Sequence, residues 1–517
     1  MRPGEFTYRP EHKPNQLICG KGQTAVITGW TVKKIVAKHL NPEDFAVIGQ
    51  LYSPTRGINL LIRNLLLNPH VRFLVILNAT REDSSSGSQR CLADFFQYGF
   101  EKGYSDTNRP CWVIRSSIKG NIDIEVDQKA LETLREAIEW KEVETLQEAI
   151  SATKYYASRP PVEPWGSPCD FPLEIKEPDV LPGELYGHRI EGKTIAETWV
   201  KIIHRIKTTG VMRPTGYDGQ LQELINLMAV VTHEVEDPKK ICIPDPNYLP
   251  CDQDSINAYL PQILEDSPVV EGVKYTYGQR LRSWFGVDQV EQVIEKLISE
   301  IDAASAVMSL WDVRDHEVGG SPCLNHIWLR VLEGELTLTA LFRSNDMFSA
   351  WPANAFGLRA LQKEIRDSIV QRTSGRDDLG KYKLKLGCLI TISQSAHIYD
   401  DCWENAEQLI NNQYAKILQA EMNAEDDEYY RDPAGNFIIE VLANKQQIRV
   451  LRTTPGNDGT EVKAYIGKRP LDLVRQICND SPSIRPDHIG YLGIELQKAR
   501  RALLLGEEYV QDVDTTR

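Results

Sequence analysis

The sequence predicts a mixed α/β and α+β fold that is divided among several domains. At roughly 150 residues per domain, 517 residues suggest about three of them. Hydrophobic residues make up 41% and charged residues 26% of the chain, which is typical of a folded globular protein and argues against disorder. Strand and helix patterns alternate early in the chain and change character after a proline-rich stretch. We expect an N-terminal α/β sandwich, a central α+β domain and a small C-terminal α+β domain.

The first 150 residues alternate between short apolar runs and helical patterns. Four runs have the composition of buried parallel strands: Thr24–Thr28, Phe45–Gly49, Arg72–Leu77 and Cys111–Arg115. Between them, Gly57–Pro69 carries apolar residues at helical spacing and ends at a proline. We assign residues 1–155 to this α/β domain.

A linker is predicted over residues 156–190. Seven prolines lie between Pro160 and Pro182. Proline lacks a backbone N–H and fixes φ, so this stretch should be extended and non-helical.

The central domain is predicted over residues 191–420. Val290–Ile301 is an amphipathic helix by its spacing, and Phe356–Ile369 has a second helical pattern. Ile327–Phe342 alternates as a hairpin does, with a turn at Glu333-Gly334.

A small domain is predicted over residues 430–517. The acidic run Glu425–Glu428 marks its boundary, and a hairpin-like segment follows at Asn436–Thr453. Two helical stretches lie near Leu471–Cys478 and His488–Leu505.

Charge, hydropathy and cysteine usage exclude several classes of function. The net charge of −14 disfavours general nucleic-acid binding, which needs a basic face. Apolar runs such as Phe73–Leu77 are far shorter than the ~20 residues that span a bilayer. The ten cysteines include no CxxC pair, which disfavours a zinc site and a disulfide framework. We expect a cytoplasmic protein with no metal and with no nucleic-acid or membrane partner.

The residues with catalytic potential lie between Ser321 and Tyr399. Cys323, in SPCLNH, is followed twenty residues later by Arg343 and then by the isolated amide of Asn354. A nucleophile, a cation and an amide suit attack on a pyrimidine ring while a phosphate is held nearby. Taken singly, each of these residues has an ordinary structural interpretation, so their combination carries the hypothesis.

Together with neighbouring motifs, these segments resemble the thymidylate synthase family, particularly its compact archaeal-type members. The resemblance covers roughly residues 190–415 in the family's order and spacing. YTYGQRLRSW, DQVEQVIEKL and MSLWDV match consecutive family segments. QELINL, which contains Glu223, is similar to the helix that bears the family's catalytic glutamate.

The resemblance implies a role for each residue around the nucleophile. Cys323 would add to C6 of the pyrimidine, which makes C5 able to attack a one-carbon unit. Arg343 would favour the thiolate and, with Ser344, would hold the nucleotide phosphate. Asn354 would hydrogen-bond the base edge and favour uracil, because relatives that act on cytosine tend to carry Asp there.

The resemblance also implies roles around the sugar, the base and the cofactor. His397 and Tyr399 would contact the sugar hydroxyl. Glu223 would order water that moves protons at O4, and Tyr277 would help to remove the C5 proton. Asp346 would face the pterin ring of a folate-type cofactor.

The sequence departs from the family at the phosphate site. The family carries an Arg-Arg pair, donated across a dimer, where this chain has Ala304 and Ser305. Arg213, Arg280 and Arg282 are candidates to replace that pair.

The leading hypothesis is conversion of dUMP to dTMP with 5,10-methylene-tetrahydrofolate or a methanopterin analogue, by a homodimer. A C5-hydroxymethylase on the same scaffold is the alternative, because Asn226 replaces a family tryptophan near which relatives differ in product. A non-catalytic scaffold that binds nucleotide or pterin is the alternative from another class. The choice between ribose and deoxyribose stays open.

The flanking domains carry weaker resemblances. Glu43–Leu77 resembles the corrinoid-holding domain of tetrahydromethanopterin S-methyltransferase, which binds its cofactor through a histidine after its last strand. Asn78–Gln89 contains no histidine. This domain is therefore either a structural or dimerising module or a pterin-docking or corrinoid module, with an anion site possible where a helix starts near Arg56-Gly57. The tail resembles a small uncharacterised domain that accompanies such modules.

Overall fold

A computed structural model describes residues 6–105, 109–173, 180–216, 219–234, 243–267, 275–318, 321–374, 384–423, 432–455 and 459–513. The chain forms two compact units, Met1–Tyr414 and Ala415–Arg517. Helices and sheets occur together in the N-terminal part of the first unit, in the rest of that unit and in the second unit, which confirms the predicted mixed α/β and α+β class. Within the described ranges, no helix is both long and apolar enough to cross a membrane.

Among the described residues, the N-terminal part of the first unit contains eight strands and six α-helices. The strands are β1 (Ile18–Cys19), β2 (Thr24–Thr28), β3 (Val47–Gln50), β4 (Phe73–Leu77), β5 (Phe100–Tyr104), β6 (Pro110–Ile114), β7 (Asn121–Asp123) and β8 (Glu139–Val143). The helices are α1 (Lys33–Ala37), α2 (Gly57–Leu67), α3 (Arg81–Ser86), α4 (Ser88–Tyr98), α5 (Gln128–Ala137) and α6 (Leu146–Ala157). We call this part the N-terminal domain.

A five-stranded sheet in the order β1-β3-β2-β4-β8 is the centre of the N-terminal domain. Strands β2, β3, β4 and β8 are parallel, and β1 runs antiparallel to β3. Neighbouring residues of one strand enter opposite cores: Val26 lies in one apolar cluster and Ile27 in the other. Both faces of the sheet are therefore covered, and the first three predicted strands and the helix α2 are confirmed.

The fourth predicted parallel strand is wrong. Residues of Cys111–Arg115 lie in β6, the middle strand of a separate antiparallel sheet in the order β5-β6-β7. The fourth parallel strand is β8, whose sequence EWKEV is rich in charge. Because β8 is an edge strand, its side chains alternate between solvent and the domain, so it lacks the continuous apolar run of a central strand.

The predicted linker packs against the N-terminal domain. Residues 160–173 contain neither helix nor strand, as predicted. The Trp165 backbone N–H donates to the Pro69 carbonyl at 3.1 Å, and Arg63 Nη1 donates to the Phe171 carbonyl at 2.6 Å. These bonds fix the extended stretch on the domain surface.

The rest of the first unit forms the central domain around an eight-stranded sheet. Its strands are β9 (Arg189–Gly192), β10 (Val211–Pro214), β11 (Gln220–Val231), β12 (Val307–Ser309), β13 (Leu324–Leu332), β14 (Glu335–Phe342), β15 (Asn345–Asp346) and β16 (Lys385–Tyr399). Its helices are α7 (Ile195–Thr209), α8 (Gln253–Tyr259), α9 (Pro261–Leu264), α10 (Tyr277–Arg282), α11 (Gln289–Ser299), α12 (Asp315–Val318), α13 (Trp351–Thr373) and α14 (Trp403–Leu409). A π-helical segment, Ile410–Tyr414, follows α14.

The strand order in this sheet is β10-β11-β16-β14-β13-β12, with β15 paired to β16 and β9 to β11. The predicted hairpin is confirmed as β13 and β14, and Glu333 and Gly334 form its turn with φ values of 51° and 80°. The predicted helices correspond to α11 and α13. Helix α13 is tied to the sheet by the Trp351 indole N–H, which donates to Thr391 Oγ1 at 2.9 Å.

In the part of the second unit that the structure describes, there are a three-stranded antiparallel sheet and three α-helices. Its elements are α15 (Ala415–Asn423), β17 (Asn436–Leu442), β18 (Gln447–Thr453), β19 (Glu461–Gly467), α16 (Pro470–Asp480) and α17 (Pro486–Leu505). Helices α16 and α17 bury apolar residues against the sheet. The predicted hairpin and both predicted helices are confirmed, whereas the acidic run Glu425–Glu428 lies outside the described residues.

Candidate active site

The hairpin brings the predicted nucleophile and the predicted cation together. Cys323 directly precedes β13, and Arg343 directly follows β14. Leu324 pairs with Phe342 in the antiparallel register, and the Arg343 backbone N–H donates to the Cys323 carbonyl at 2.9 Å. The twenty-residue spacing in the sequence therefore becomes direct adjacency.

Backbone carbonyls fix the Arg343 guanidinium beside the thiol. Arg343 Nε donates to the Pro322 carbonyl at 3.0 Å, and Nη2 donates to the Ser321 carbonyl at 2.8 Å. The Tyr275 hydroxyl donates to the same Ser321 carbonyl at 3.3 Å. The turn before β13 thus holds a cation and a phenol next to Cys323.

Burial, and not the neighbouring cation, dominates the acidity of the thiol. Desolvation raises the pKa of Cys323 above its ordinary value, and the positive charge of Arg343 opposes that rise. Arg343 acts in the predicted direction, but its effect is smaller than that of burial. The thiol form of Cys323 therefore predominates at neutral pH.

The Tyr277 hydroxyl belongs to the same set of residues. We call this set, which includes Cys323, Arg343, Tyr275 and Tyr277, the thiol group. Burial of Tyr277 raises its pKa well above the ordinary value, the nearby Tyr275 and Cys323 add to the rise, and a hydrogen bond from the Leu324 amide opposes it. A group with this pKa is a neutral phenol at neutral pH. Tyr277 can donate or relay a proton, but as an anion it would be too costly to serve alone as the base at C5.

Asn354 is buried in the first turn of α13 and is held by a residue that the sequence analysis did not identify. The Tyr259 hydroxyl, at the end of α8, donates to Asn354 Oδ1 at 2.5 Å. This bond orients the amide, so its nitrogen is left to donate and its oxygen keeps one lone pair. Tyr259 and Cys323 both contribute to the raised pKa of Tyr277.

A second group of polar residues lies along the end of β16. We call it the histidine group; it consists of Glu223, Asp346, Ser395, His397 and Tyr399. His397 is buried and pairs in register with Asp346 of β15 on one side and Glu223 of β11 on the other. The rings of His397 and Tyr399 are 4.8 Å apart in an edge-on arrangement. Burial lowers the pKa of His397, although Asp346 and Glu223 oppose this, so the imidazole is neutral at neutral pH.

Glu223 connects β16 to the phosphate-site candidate Arg213. The Ser395 hydroxyl donates to Glu223 Oε1 and lies 3.1 Å from His397 Nδ1. Arg213 Nε lies 2.7 Å from Glu223 Oε2. The half-exposed Arg213 side chain is thus held at the edge of the group by a carboxylate.

The predicted helix around Glu223 is wrong. QELINL lies in the strand β11, where alternate residues such as Gln222 and Leu224 are buried and the residues between them are only partly buried. Asn226 has a φ of 58° and is skipped in the pairing with β16, so it marks an irregularity in the strand. The comparison of Asn226 with a family tryptophan, and with it the choice between methyl and hydroxymethyl product, stays a prediction.

Two of the three arginines considered for the phosphate serve structural ion pairs. Arg280 is buried and lies 2.7 Å from Asp315, and Arg282 pairs with Asp288 and Glu364. Of the three, Arg213 is the one that reaches the candidate site. Ser344 is half-buried between Arg343 and the start of β15, where it remains a candidate phosphate ligand.

The two groups lie side by side at the same end of the neighbouring strands β14 and β16. Strands β14 and β15 pair successively with β16, from Phe342 opposite Ser393 to Asp346 opposite His397. The thiol group and the histidine group therefore lie next to each other. Among the described residues, no cluster of three or more His, Cys, Asp or Glu side chains could hold a metal ion.

Tyr259 and Ser395 were not among the predicted site residues. The signal for Ser395 is present, because Ser393, Ser395, His397 and Tyr399 alternate along one strand and so lie on the same face. Tyr259 has no comparable local signal. Its contact with Asn354 joins residues 95 positions apart and depends on how α8 packs beside α13.

The fold and the site define a protein in which a cysteine and an arginine lie side by side at the open end of one hairpin of a mixed sheet. A family model described as thymidylate synthase matches residues 266–450, and one described as PterinBD-DUF4346 matches residues 431–512. Archaeal proteins are similar over about 226 to 235 residues of this chain.

These relatives carry names that assign them provisionally as thymidylate synthases. The protein of Methanosarcina barkeri is 32% identical and that of Methanococcoides burtonii 33%, each match covering 43% of this chain and 95% of the relative. The protein of Methanothermobacter marburgensis is 29% identical, covering 44% and 99% respectively. The chain belongs to the thymidylate synthase family, and the predicted family resemblance of the central domain is confirmed. The resemblance of Glu43–Leu77 to a corrinoid-holding methyltransferase domain stays a prediction.

Proposed function

We propose that this chain transfers a one-carbon unit to C5 of a uracil nucleotide, with dUMP as substrate and dTMP as product. The observation that carries the proposal is the adjacency of Cys323 and Arg343 at the open end of one hairpin. Tyr277, whose pKa Cys323 helps to raise, and Asn354, which Tyr259 holds, supply the other predicted groups. A scaffold that only binds nucleotide has no need of a nucleophile beside a fixed cation. Family membership supports the same activity.

Cys323, Arg343 and Asn354 each have a task in this reaction. The sulfur of Cys323 attacks C6 of the base, and the electron pair of the C5–C6 double bond then makes C5 nucleophilic. Arg343 stabilises the thiolate form that must attack. Asn354 donates to O4 of uracil through its nitrogen and accepts from N3–H through its oxygen, an arrangement that Tyr259 fixes.

The histidine group supplies contacts to the sugar and the phosphate. Neutral His397 and the Tyr399 hydroxyl can each hydrogen-bond a sugar hydroxyl. Glu223 is hydrogen-bonded to Ser395, which gives it a fixed position from which to order water near O4. Arg213 joins Arg343 at the phosphate when the nucleotide anion competes with Glu223 for its guanidinium.

The residues around Asp346 fit a pterin. Asp346 Oδ1 accepts hydrogen bonds from the Phe348 and Ser349 backbone amides, both at 3.0 Å, which fixes the carboxylate at the end of β15. A fixed carboxylate matches the N–H donors of a pterin ring. When bound, 5,10-methylene-tetrahydrofolate or its methanopterin analogue would supply the one-carbon unit and a hydride.

The test is mass spectrometry of the nucleotide after the purified protein has reacted with dUMP and methylene-tetrahydrofolate. A methylated nucleotide supports the proposal, and a hydroxymethylated one would replace it with a C5-hydroxymethylase. The methanopterin analogue and other pyrimidine nucleotides are tried in parallel. If none of these combinations yields a product, the proposal is contradicted. Light scattering tests the homodimer that the family resemblance implies.

Cys323→Ser should abolish turnover and leave nucleotide binding measurable, because the hydroxyl is a far weaker nucleophile of similar size. Product formation and dUMP binding by calorimetry are measured on the same preparation. Cys388→Ser, a change at a half-buried cysteine on β16, is the matched control and should stay active. Full activity in Cys323→Ser would refute covalent catalysis through this residue.

Asn354→Asp should shift preference from uracil toward cytosine nucleotides. A protonated or water-bridged carboxyl can pair with the amino group and N3 of cytosine, whereas a carboxylate repels O4 of uracil. The ratio of kcat/KM for dUMP and dCMP measures the change. An unaltered ratio would show that Asn354 does not contact the base.

A further inference from the structure

The N-terminal domain meets the central domain beside the histidine group. Lys13 Nζ lies 3.3 Å from Asp400 Oδ1, and Arg109 pairs with Glu404. Both carboxylates belong to the segment that directly follows Tyr399 at the end of β16. Asp400 also accepts the Gln220 backbone N–H at 2.7 Å, where β11 begins. Cations of one domain thus contact the segment that directly follows the candidate site residues His397 and Tyr399.

A third cation of the N-terminal domain reaches the segment that follows Asp346. Arg56 Nη1 donates to Ser349 Oγ at 3.3 Å, and the Arg56 guanidinium lies over the Phe348 ring at 5.1 Å from its centre. Phe348 is buried. The contact therefore combines a hydrogen bond from a charged donor with a cation–π interaction.

The contacted residues are the ones that fix the Asp346 carboxylate. The Phe348 and Ser349 amides both donate to Asp346 Oδ1. The Ser349 hydroxyl lies 3.8 Å from the sulfur of Cys402, a buried residue after β16. Arg56 consequently contacts the same turn, Asp346–Ser349, whose backbone amides fix the Asp346 carboxylate.

Arg56 itself stands on a rigid base. It occupies the N-cap position of α2, and Gly57 N–H donates to the Ser53 carbonyl at 2.9 Å. Most of α2 is buried in the core of the N-terminal domain. The Arg56 side chain contacts Ser349 of the central domain, at the helix start where an anion site was a possible prediction.

We propose that Arg56 is a positioning residue for the pterin site, through which the N-terminal domain holds the turn Asp346–Ser349 in its binding geometry. This inference rests on the proposed function, because it takes Asp346 as the pterin contact. The N-terminal domain then acts as part of the catalytic unit and, through Arg56, sets the affinity for the pterin.

The experiment compares wild type, Arg56→Ala, Arg56→Lys and Arg115→Ala as full-length proteins. Arg115 is the matched control, an exposed arginine that pairs with Glu101 inside the N-terminal domain. Calorimetry measures the Kd of tetrahydrofolate and of dUMP, and hydrogen exchange follows the Phe348 and Ser349 amides. Melting curves check that each variant is folded.

Arg56→Ala should weaken tetrahydrofolate binding about tenfold and speed exchange of both amides, because a charged hydrogen bond and a cation–π contact are lost. The Kd of dUMP should change less than twofold. Arg56→Lys keeps the charge and should recover part of the pterin affinity, and Arg115→Ala should match wild type.

Unchanged exchange or an unchanged pterin Kd in folded Arg56→Ala would overturn the inference while the proposed function stands. An equal loss of dUMP affinity would also overturn it, because a general structural defect moves both constants. A wild-type protein that yields no product and binds no pterin would instead mark failure of the proposed function, and the inference would fall with it.

Discussion

Replacing Tyr259 with phenylalanine tests how the base-reading amide is oriented. The change keeps the aromatic ring at the end of α8 and removes the hydroxyl that donates to Asn354 Oδ1 at 2.5 Å. Asn354 is only 7% exposed, so water cannot readily replace the lost donor. The amide should then adopt either of its two orientations.

The expected magnitude follows from the burial of that acceptor. Leaving a buried hydrogen-bonding group unsatisfied costs about 1–3 kcal/mol. In the variant, the orientation that reads uracil leaves Oδ1 without its donor and carries this cost, and 1.4 kcal/mol corresponds to about a tenfold change. We expect kcat/KM for dUMP to fall between about fivefold and 150-fold, and the preference for dUMP over dCMP to narrow by a similar factor.

The assay is steady-state kinetics with dUMP and dCMP, and dUMP binding is measured alongside. Tyr186→Phe is the control, because Tyr186 is an exposed tyrosine of the same domain. Should Tyr259→Phe keep both the dUMP kcat/KM and the dUMP-to-dCMP ratio within twofold of wild type, the orientation argument would be refuted.

Two further predictions concern the phosphate and the stability of the N-terminal domain. Arg213→Ala should weaken dUMP binding about tenfold and leave deoxyuridine binding unchanged; equal losses for both would show that Arg213 does not meet the phosphate. His70 is stacked on Phe6, and burial lowers its pKa to about 4 from an ordinary 6.5. Because the unfolded chain binds a proton that the folded chain does not, the free energy of unfolding should fall as pH drops from 6.5 toward 4. His70→Phe should reduce that loss in melting experiments, and an identical pH dependence would contradict the assignment.

Much of the fold could be predicted because local patterns coincide with tertiary structure. Continuous apolar runs predict central parallel strands such as Phe73–Leu77, and the alternation and turn residues of Ile327–Phe342 predict the hairpin. The errors have one physical origin. Glu139–Val143 is a charged edge strand, and its place in the sheet depends on pairing with a distant strand, which the local pattern does not contain.

The candidate site could be predicted where a motif spans a single supersecondary unit. Cys323 and Arg343 become neighbours through one hairpin, so their spacing along the chain already determines their adjacency. The type of element that carries Glu223 could not be predicted, because a short apolar-rich segment does not distinguish helix from strand. Its pairing with His397 crosses 174 residues and is a property of the whole sheet.

Contacts such as those of Arg56 with Ser349 are the least predictable from sequence. They depend on how two separately formed cores pack, and neither residue shows a pattern that refers to the other. A lone arginine ahead of a helix is compatible with an anion site and equally with a bond to a neighbouring domain. The structure shows the second arrangement.

Because the linker is bound to the N-terminal domain, weak contacts are enough to keep the N-terminal and central domains associated. The chain is fixed to the N-terminal domain at Phe171, and ten residues later the Leu181 backbone N–H donates to the Thr208 carbonyl of α7. Ten residues can span no more than about 35 Å. The docking of the two domains is therefore an intramolecular reaction at a high effective concentration, of the order of millimolar for short tethers. Contacts that would be too weak to join separate proteins, such as the exposed pair Arg109 and Glu404, are sufficient to keep these domains associated.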